Sequence, residues 1–408
     1  MSASARPLRV LYILHTAAAG GAAGSLRLLI EHLPLGTVEP LVLSPDGDAV
    51  GRFRKAGVAV RHIPGVSMFH SLAGEPLRGA RLLELVRTVA HMRHGNLIRA
   101  ALREFRPDIV HLNERGMLHA ARIASKTGLP VLMHARSVAD RRGWWVRALG
   151  TALTKRYVAR VLAIDHSVRW SLRELENCEV LYNPLPATVG QPVVPAGGAK
   201  IQVGGPTRVV YLSGLLRFKG IFDLLEAARL LRFRRDIMFE IAGANSRPPE
   251  FHRSAVGRLA HVVGLAPDVE AELERWIFRE GMSGTVRLLG HVEDTRSLFD
   301  RADILVFPSH LNGPGRSVFE AGAHGIPSIV TMVDRIEDIV EDGVTGLITR
   351  ERDPRALADA ILRLTDDRAL HERLGENARR KYVEQFDGTR IGLRMLEIYR
   401  SCRKAPPR

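Results

Sequence analysis

The sequence predicts an α/β protein with two domains, each built on a parallel sheet. The chain has 408 residues, which is more than one ordinary hydrophobic core accommodates. Hydrophobic residues make up 46% and charged residues 25% of the chain, as is usual in globular proteins. Short aliphatic runs alternate with longer segments of helical periodicity, a pattern typical of β–α–β units. These three observations together indicate two doubly wound domains in tandem.

The first alternation extends from residue 8 to residue 181. The aliphatic run at 8–14 predicts a buried strand, the small residues at 17–24 indicate a loop, and the periodicity of 25–33 predicts a helix. The other strands predicted in this half are 41–44, 58–63, 109–112, 131–134, 161–164 and 180–181.

Residues 184–206 are rich in Pro, Gly and small side chains and have no helical periodicity, so they are predicted to link the domains. A second alternation follows, with strands at 209–213, 238–242, 286–288, 304–308 and 328–331 and helices at 222–231, 317–325, 356–365, 370–386 and 388–402. The predicted division is 1–185 for the first domain, 186–206 for the linker, 207–387 for the second domain, and 388–408 for a C-terminal helix with a basic tail.

Cysteine content and hydropathy indicate a cytoplasmic protein. Two cysteines without CxxC spacing, Cys178 and Cys402, predict neither a disulfide framework nor structural zinc. No apolar run reaches the ~20 residues that span a bilayer. The segment 6–23 resembles a signal peptide weakly, because its apolar part ends at His15; a buried strand followed by a glycine turn is the preferred interpretation.

The net charge of +15 favours an anionic partner, although heavy arginine use by a GC-rich genome is an alternative explanation. Segments 78–103 and 141–160 combine basic residues with aliphatic or tryptophan side chains, and we expect them to lie on the anionic inner face of a membrane. Ordinary domain helices with arginine on their solvent faces are the other interpretation. No RNA-binding aromatic signature, helix-turn-helix or zinc knuckle occurs, so nucleic acid is not an expected partner.

Two glycine-containing turns follow predicted strands. Gly20 and Gly21 stand between the first strand and helix, where backbone N–H groups can approach a phosphate. The G-x-G-x-x-G spacing is absent, which disfavours a nicotinamide enzyme. In the second half, the loop 214–220 carries Arg217 and Lys219, two cations that can hold a diphosphate without a metal ion. A solvated basic loop is the alternative interpretation.

The segment 307–328 is the most informative one. A predicted strand ends in Pro-Ser, a glycine-rich loop follows, and a helix is predicted to begin near Ser317, with Gly315 and Arg316 just before it. The helix N-terminus is suited to an anionic ligand above the sheet. Glu320 is predicted on the first turn, where its carboxylate can accept hydrogen bonds from both vicinal hydroxyls of a ribose. For Glu320 alone, a carboxylate that interacts with the helix dipole is the alternative.

This segment resembles the donor-site signature of glycosyltransferase family 4, in which Pro-Ser, an acid and Gly-x-Gly precede a second acid eight residues after the first. Further segments resemble the same family in the same order, and together they cover about residues 8–390: 10–13 before Gly20-Gly21, 107–111, 181–184, 219–220, 286–309 and 341–347.

The resemblance implies the GT-B fold, in which two Rossmann-like domains present parallel sheets across a cleft and the C-terminal helix returns to the first domain. It implies metal-independent transfer with retention of configuration, with Arg217, Lys219 and Glu320 holding the nucleotide diphosphate. A family histidine near the cleft contacts the sugar; His134 is the preferred candidate, and His111 is either a second candidate or a buried core histidine.

Three departures from the family pattern are present. Asn312 occupies the position of the first acid, where a neutral amide can still bond a sugar hydroxyl. Asp334 and Arg335 replace the usual Gly-Gly, and the usual arginine just after glycine in the phosphate loop is replaced by Arg217 in a shortened loop.

We therefore expect a retaining hexosyltransferase that moves a sugar from a nucleotide diphosphate donor to a glycan or lipid-linked acceptor, in cell-surface polysaccharide or glycolipid synthesis. The donor is a substrate, and neither a cofactor nor a metal site is predicted. Alternatives are a nucleotide-sugar epimerase on the same fold and a non-catalytic relative, which Asn312 keeps open. The predicted catalytic residues are His134 and Asn312, and the donor-binding residues are Gly20, Gly21, Arg217, Lys219, Gly315, Arg316, Ser317 and Glu320.

Overall fold

A computed structural model divides the chain into two compact units. Unit 1 comprises Met1–Pro186 and Phe386–Arg408, and unit 2 comprises Ala187–Gln385. The residues that the structure describes are 6–17, 21–69, 86, 88–138, 144–186, 205–245, 249–262, 266–311, 315–332 and 340–404.

Unit 1 contains a seven-stranded sheet with the strand order β3-β2-β1-β4-β5-β6-β7. All the neighbouring strands are parallel. The chain therefore adds β2 and then β3 on one side of β1, and it adds β4 to β7 in order on the other side. The strands are β1 Leu8–Ile13, β2 Val38–Ser44, β3 Ala59–His62, β4 Ile109–Leu112, β5 Val131–Ala135, β6 Arg160–Ala163 and β7 Cys178–Val180.

Helices cover both faces of this sheet. Successive side chains of each buried strand point to opposite faces, so apolar side chains on both faces need to be covered. Leu11 and Ile13 of β1 belong to the core on one face, and Val10 and Tyr12 belong to the core on the other. The helices are α1 Gly21–Glu31, α2 Asp48–Lys55, α3 Gly95–Phe105, α4 Leu118–Ser125, α5 Trp144–Tyr157, α6 His166–Ser171 and, at the end of the chain, α15 Gly388–Lys404.

The C-terminal helix α15 completes the core of unit 1. Its side chains Ile391, Met395 and Tyr399 are buried together with Val10 and Tyr12 of β1. The return of this helix to the first domain, which the family resemblance implied, is confirmed.

Unit 2 contains a six-stranded parallel sheet with the order β10-β9-β8-β11-β12-β13. Its strands are β8 Thr207–Leu212, β9 Ile237–Ala242, β10 Val286–Gly290, β11 Ile304–Phe307, β12 Ser328–Thr331 and β13 Gly346–Thr349. Its helices are α7 Ile221–Leu230, α8 Pro249–Arg253, α9 Ala255–Val262, α10 Val269–Arg279, α11 Thr295–Phe299, α12 Arg316–Ala323, α13 Pro354–Asp366 and α14 Arg368–Gln385.

The predicted α/β class is confirmed, but several element boundaries differ. The helix predicted at 25–33 begins at Gly21, because Ala22 and Ala23 are strong helix formers that extend it into the predicted loop. Strand β13 was not predicted; its sequence Gly346-Leu347-Ile348-Thr349 contains only two aliphatic residues, so it lacks the continuous aliphatic run that identified the other strands. No helix in the described part of the chain is both long and apolar enough to cross a membrane.

Candidate functional site

The candidate site of unit 2 lies where the strand order changes direction, between β8 and β11. In open α/β sheets, ligands bind beyond the carboxyl ends of the strands at such a switch point. Residues 213–220 follow β8, and residues 308–315 follow β11. The two segments singled out in this half of the sequence are therefore neighbours at one edge of the sheet.

Contacts at Gly220 and His310 hold these two segments together. Gly220 has φ 71°, and a Cβ atom there would collide with the carbonyl oxygen of Pro308. The backbone N–H of His310 donates to the Phe218 carbonyl at 2.8 Å, and His310 Nε2 lies 2.8 Å from Asp223 Oδ2. Sequence reasoning missed His310 and Asp223, because only the fold brings them together.

Lys219 lies between aromatic rings beside these contacts. Its Nζ is 5.1 Å from the ring centroid of Phe307 and 5.8 Å from that of Phe218. Burial lowers the pKa of its ammonium group, because low dielectric surroundings disfavour the charged form. Within the described ranges its side chain has no ion pair or hydrogen bond. A partly desolvated cation of this kind is suited to an anionic ligand.

Arg217 does not accompany Lys219 in this structure. It forms an ion pair with Glu272 and stacks on the ring of Phe222, 4.8 Å from the centroid. Its side chain is 56% exposed. The two predicted phosphate-binding cations therefore have different partners, and the place of Arg217 in the donor site stays a prediction.

Helix α12 begins beside Lys219. Gly315 is its N-cap, and a Cβ atom at Gly315 would lie 2.6 Å from the Phe307 ring. Arg316 and Ser317 are its first two residues, so Glu320 is the fifth and lies on the second turn, not on the first turn as predicted. Glu320 is buried, and its Oε1 accepts a hydrogen bond from Arg316 Nε at 2.5 Å.

Unit 1 has the equivalent switch point between β1 and β4. Gly21 is the first residue of α1. Asn113, just after β4, donates from Nδ2 to the Ala22 carbonyl at 3.0 Å. The end of β4 is thereby attached to the start of α1. Gly20 lies outside the described residues.

His134 and His111 lie inside unit 1, with 1% and 0% of their surface exposed. Their ring centroids are 5.6 Å apart. His111 Nδ1 is 2.7 Å from the Tyr399 hydroxyl, which donates to the Tyr12 hydroxyl at 2.9 Å. Burial lowers the pKa of His111 to about 3 and that of His134 well below 6.5. Both rings are therefore neutral at physiological pH, and the predicted sugar contact of His134 stays a prediction.

A polar cluster beside these histidines was not recognised from the sequence. Arg136 follows β5 and donates from Nε to Asn113 Oδ1 at 2.8 Å and from Nη1 to Asn183 Oδ1 at 2.5 Å. Glu114 is buried next to it. The signal available was a polar run directly after two buried strands, which marks the carboxyl edge of a parallel sheet.

Further expectations concern residues that the structure does not describe, among them most of the predicted linker (187–204) and parts of the segments 78–103 and 141–160. Asn312, the predicted sugar contact, and the pair Asp334-Arg335 both lie outside the described ranges. Among the residues that are described, no group of three His, Cys, Asp or Glu side chains is arranged to hold a metal ion.

The two units are both α/β folds of the Rossmann-like kind, and comparison with known proteins specifies the class. Residues 199–381 match the model of the family described as glycosyl transferases group 1. Those residues belong to that family, and the chain is a glycosyltransferase. Assignment to family 4 in particular stays a prediction.

Curated relatives have related names. A glycogen synthase of Mycobacterium tuberculosis is 24% identical over 370 residues, which is 82% of this chain and 83% of the relative. The capsular polysaccharide biosynthesis glycosyltransferase CapM of Staphylococcus aureus is 34% identical over 119 residues, which is 29% of this chain and 31% of CapM.

Solved structures confirm the fold. Anabaena HepE in complex with UDP-glucose is 19% identical, with a TM-score of 0.75 over 97% of this chain and 100% of HepE. A variant of S. aureus TarM in complex with UDP is 12% identical, with a TM-score of 0.71 over 98% of this chain and 100% of TarM. These likenesses establish the GT-B fold that the sequence resemblance implied.

Proposed function

We propose that the chain transfers a sugar from a nucleotide diphosphate sugar to a glycan or lipid-linked acceptor in cell-surface polysaccharide or glycolipid synthesis. The observation that carries this proposal is Lys219, a partly desolvated cation between the two loops at the switch point of unit 2. The complexes of HepE with UDP-glucose and of TarM with UDP support a uridine diphosphate donor. The name of CapM supports a polysaccharide product.

In this proposal Lys219 and the N-terminus of α12 bind the donor diphosphate. The absence of a Cβ atom at Gly315 lets the Phe307 ring approach the start of the helix, and the N–H groups of Arg316 and Ser317 have no carbonyl partner within the helix. Glu320 shares Oε1 with Arg316, which leaves Oε2 for a ribose hydroxyl. As the bond to the sugar breaks, negative charge grows on the diphosphate, and fixed positive groups stabilise it. The family resemblance implies that this transfer is retaining, and the fixed positive groups would take the role of a metal ion. The same resemblance assigns Asn312 and His134 to the sugar.

The test is calorimetry of UDP binding in a buffer that contains EDTA. Lys219→Ala should weaken binding by ~1.5–3 kcal/mol, the typical contribution of a hydrogen bond to a charged group. The matched control is Lys126→Ala, which removes an exposed lysine of unit 1 and should leave the affinity unchanged. Equal UDP affinity in wild type and Lys219→Ala would remove Lys219 from the donor site.

Turnover is then measured as UDP release from a panel of UDP-sugars, with and without glycan acceptors. A transferase releases UDP faster when its acceptor is present. An epimerase instead inverts a sugar centre without releasing UDP, and a non-catalytic relative binds UDP without releasing it from any donor. Either of these results contradicts the proposed transfer.

We further propose that unit 1 binds an anionic membrane surface from the cytoplasmic side. Val86, Val89, Met92 and Leu97 are 42–58% exposed, and exposed Arg93, Arg99 and Arg103 accompany them. Helix α3 packs on α4, and α4 packs on α5, so α5 with exposed Leu149 lies on the same face of the sheet. Exposed apolar side chains with arginines beside them are suited to the boundary between the lipid headgroups and the acyl chains of a membrane.

A further inference from the structure

His310 and Asp223 form a side-chain pair beside the donor site proposed for unit 2, and the binding of the diphosphate described above does not use them. His310 lies in the loop after β11, and Asp223 is the third residue of α7. His310 Nε2 is 2.8 Å from Asp223 Oδ2. An ionised carboxylate only accepts hydrogen bonds, so Nε2 carries a proton and donates it. The pair thus joins the loop that follows β11 to the helix that follows β8.

The backbone of His310 makes a second contact with the segment between β8 and α7. Its N–H donates to the carbonyl oxygen of Phe218 at 2.8 Å. Phe218 directly precedes Lys219 in the chain, and Asp223 is four residues after Lys219. His310 therefore holds the segment that carries Lys219 on both sides of the lysine.

The position of the Lys219 ammonium group depends on this segment. In the part of the chain that the structure describes, Nζ has ring contacts only, 5.1 Å from the Phe307 centroid and 5.8 Å from the Phe218 centroid. The stem of a lysine is flexible and its charge is a point charge, so the side chain does not fix its own orientation. The place of the backbone therefore decides where the charge is available to an anion.

The His310–Asp223 pair is sheltered from water. The side chains are 18% and 19% exposed, and pairs that are partly buried are screened less than fully exposed ones. A second His–Asp contact of unit 2 differs in both length and place: His324 Nδ1 is 3.9 Å from Asp300 Oδ1, at the opposite end of α12 from Gly315. His324 therefore offers a comparison for His310 within the same unit.

We propose that His310 is a positioning residue for the nucleotide donor. Through Asp223 and Phe218 it fixes the segment that carries Lys219, and through Lys219 it determines the affinity for the diphosphate. The inference rests on the proposed function, because it takes Lys219 as the group that binds the diphosphate. It adds that His310 contributes to donor binding through Lys219 and not by a contact of its own with the nucleotide.

The experiment is a double-mutant cycle on the full chain, with UDP binding measured by calorimetry for wild type, His310→Leu, Lys219→Ala and the combined variant. His310→Gln keeps an N–H group that can donate to the carboxylate. Asp223→Ala removes the same hydrogen bond from the other side, in case His310→Leu does not fold. The matched control is His324→Leu, whose histidine side chain is similarly buried. Thermal unfolding shows which variants keep the fold.

His310→Leu and Asp223→Ala should each weaken UDP binding at least about threefold, as part of the about tenfold effect of a hydrogen bond to a charged group. His310→Gln and His324→Leu should stay within about twofold of wild type. In the Lys219→Ala background, His310→Leu should cause no further loss, because the residue that His310 positions is then absent.

Wild-type UDP affinity in both His310→Leu and Asp223→Ala overturns the proposal. An equal loss with and without Lys219 also overturns it, because His310 then acts independently of the lysine. An equal loss in His310→Gln and His310→Leu overturns the role of the bond to Asp223. If wild type binds no UDP, or if Lys219→Ala binds UDP as tightly as wild type, the proposed donor site itself fails and this inference fails with it.

Discussion

Two buried histidines illustrate what individual residues contribute to unit 1. His111 and His134 lie beneath the carboxyl edge, and the pKa values of both imidazoles are lowered, chiefly by burial. Tyr399 from the C-terminal helix hydrogen-bonds to His111. The same residues thus attach helix α15 to the sheet and support the cluster around Arg136.

Stability of unit 1 should fall with acid over a defined range. An unfolded imidazole protonates below about pH 6.5, whereas the pKa of folded His111 is about 3. Between these values the unfolded state binds an extra proton, so the free energy of unfolding decreases as pH falls, by up to ~1.4 kcal/mol per pH unit for each such histidine. Urea unfolding followed by tryptophan fluorescence at pH 7.5, 6 and 5 measures this slope.

The variant that tests this prediction is His111→Asn, compared with wild type. Removing buried His111 should reduce the pH slope by up to one proton. A wild-type slope in His111→Asn would show that this imidazole is not held neutral by the fold.

At the scale of elements, the loop between β8 and α7 depends on close backbone contact. Gly220 provides positive φ at the start of α7 and approaches Pro308 at the end of β11. The 3₁₀ turn Arg217–Lys219 precedes it directly. The position of Lys219 relative to α12 therefore depends on Gly220, because a residue with a Cβ atom at this position would collide with Pro308.

Gly220→Ala should destabilise unit 2 and weaken UDP binding. A left-handed backbone costs an L-residue ~1–2 kcal/mol, and the added Cβ would also displace the Pro308 carbonyl. Gly214→Ala is the control, since no atom lies within 4 Å of its added Cβ and its φ is not positive. Thermal unfolding and UDP calorimetry measure both variants. If Gly220→Ala behaved like Gly214→Ala, the close packing of these two loops would be contradicted.

At the scale of the whole molecule, the net charge is +15, and part of this positive charge lies on a surface of unit 1 that also exposes apolar side chains. Exposed Val89 and Met92 lie among arginines near α3. Exposed Val256 and Leu259 on α9 of unit 2 offer a comparable pair of apolar side chains elsewhere.

Binding to vesicles with anionic lipid should exceed binding to neutral vesicles and should fall steeply with salt. Each basic residue near an anionic surface contributes ~1 kcal/mol. Val89→Asn with Met92→Asn should weaken flotation with anionic vesicles, whereas Val256→Asn with Leu259→Asn on unit 2 should not. Equal binding to both vesicle types, or none to either, would favour ordinary solvent-facing helices.

The sequence alone determined the features that depend on neighbouring residues. Aliphatic runs located β1, β4 and β11 within one residue at either end, because a buried parallel strand needs a continuous apolar segment. The segments around Lys219 and Ser317 were likewise recognisable as turns that follow strands, since glycine next to an aliphatic run is a local signal; their binding of a ligand stays a prediction. Features with such local signals can be recognised from the sequence before the fold is known.

Only the tertiary structure decided the features that join distant residues. Arg136 is oriented by Asn183, which is 47 residues away, and His111 by Tyr399, which is 288 residues away. Arg217 and Lys219 have different partners because Arg217 forms an ion pair with Glu272, which belongs to another helix. Periodicity and composition report on neighbours along the chain, whereas burial, charge balance and hydrogen bonding depend on which strands the sheet places side by side.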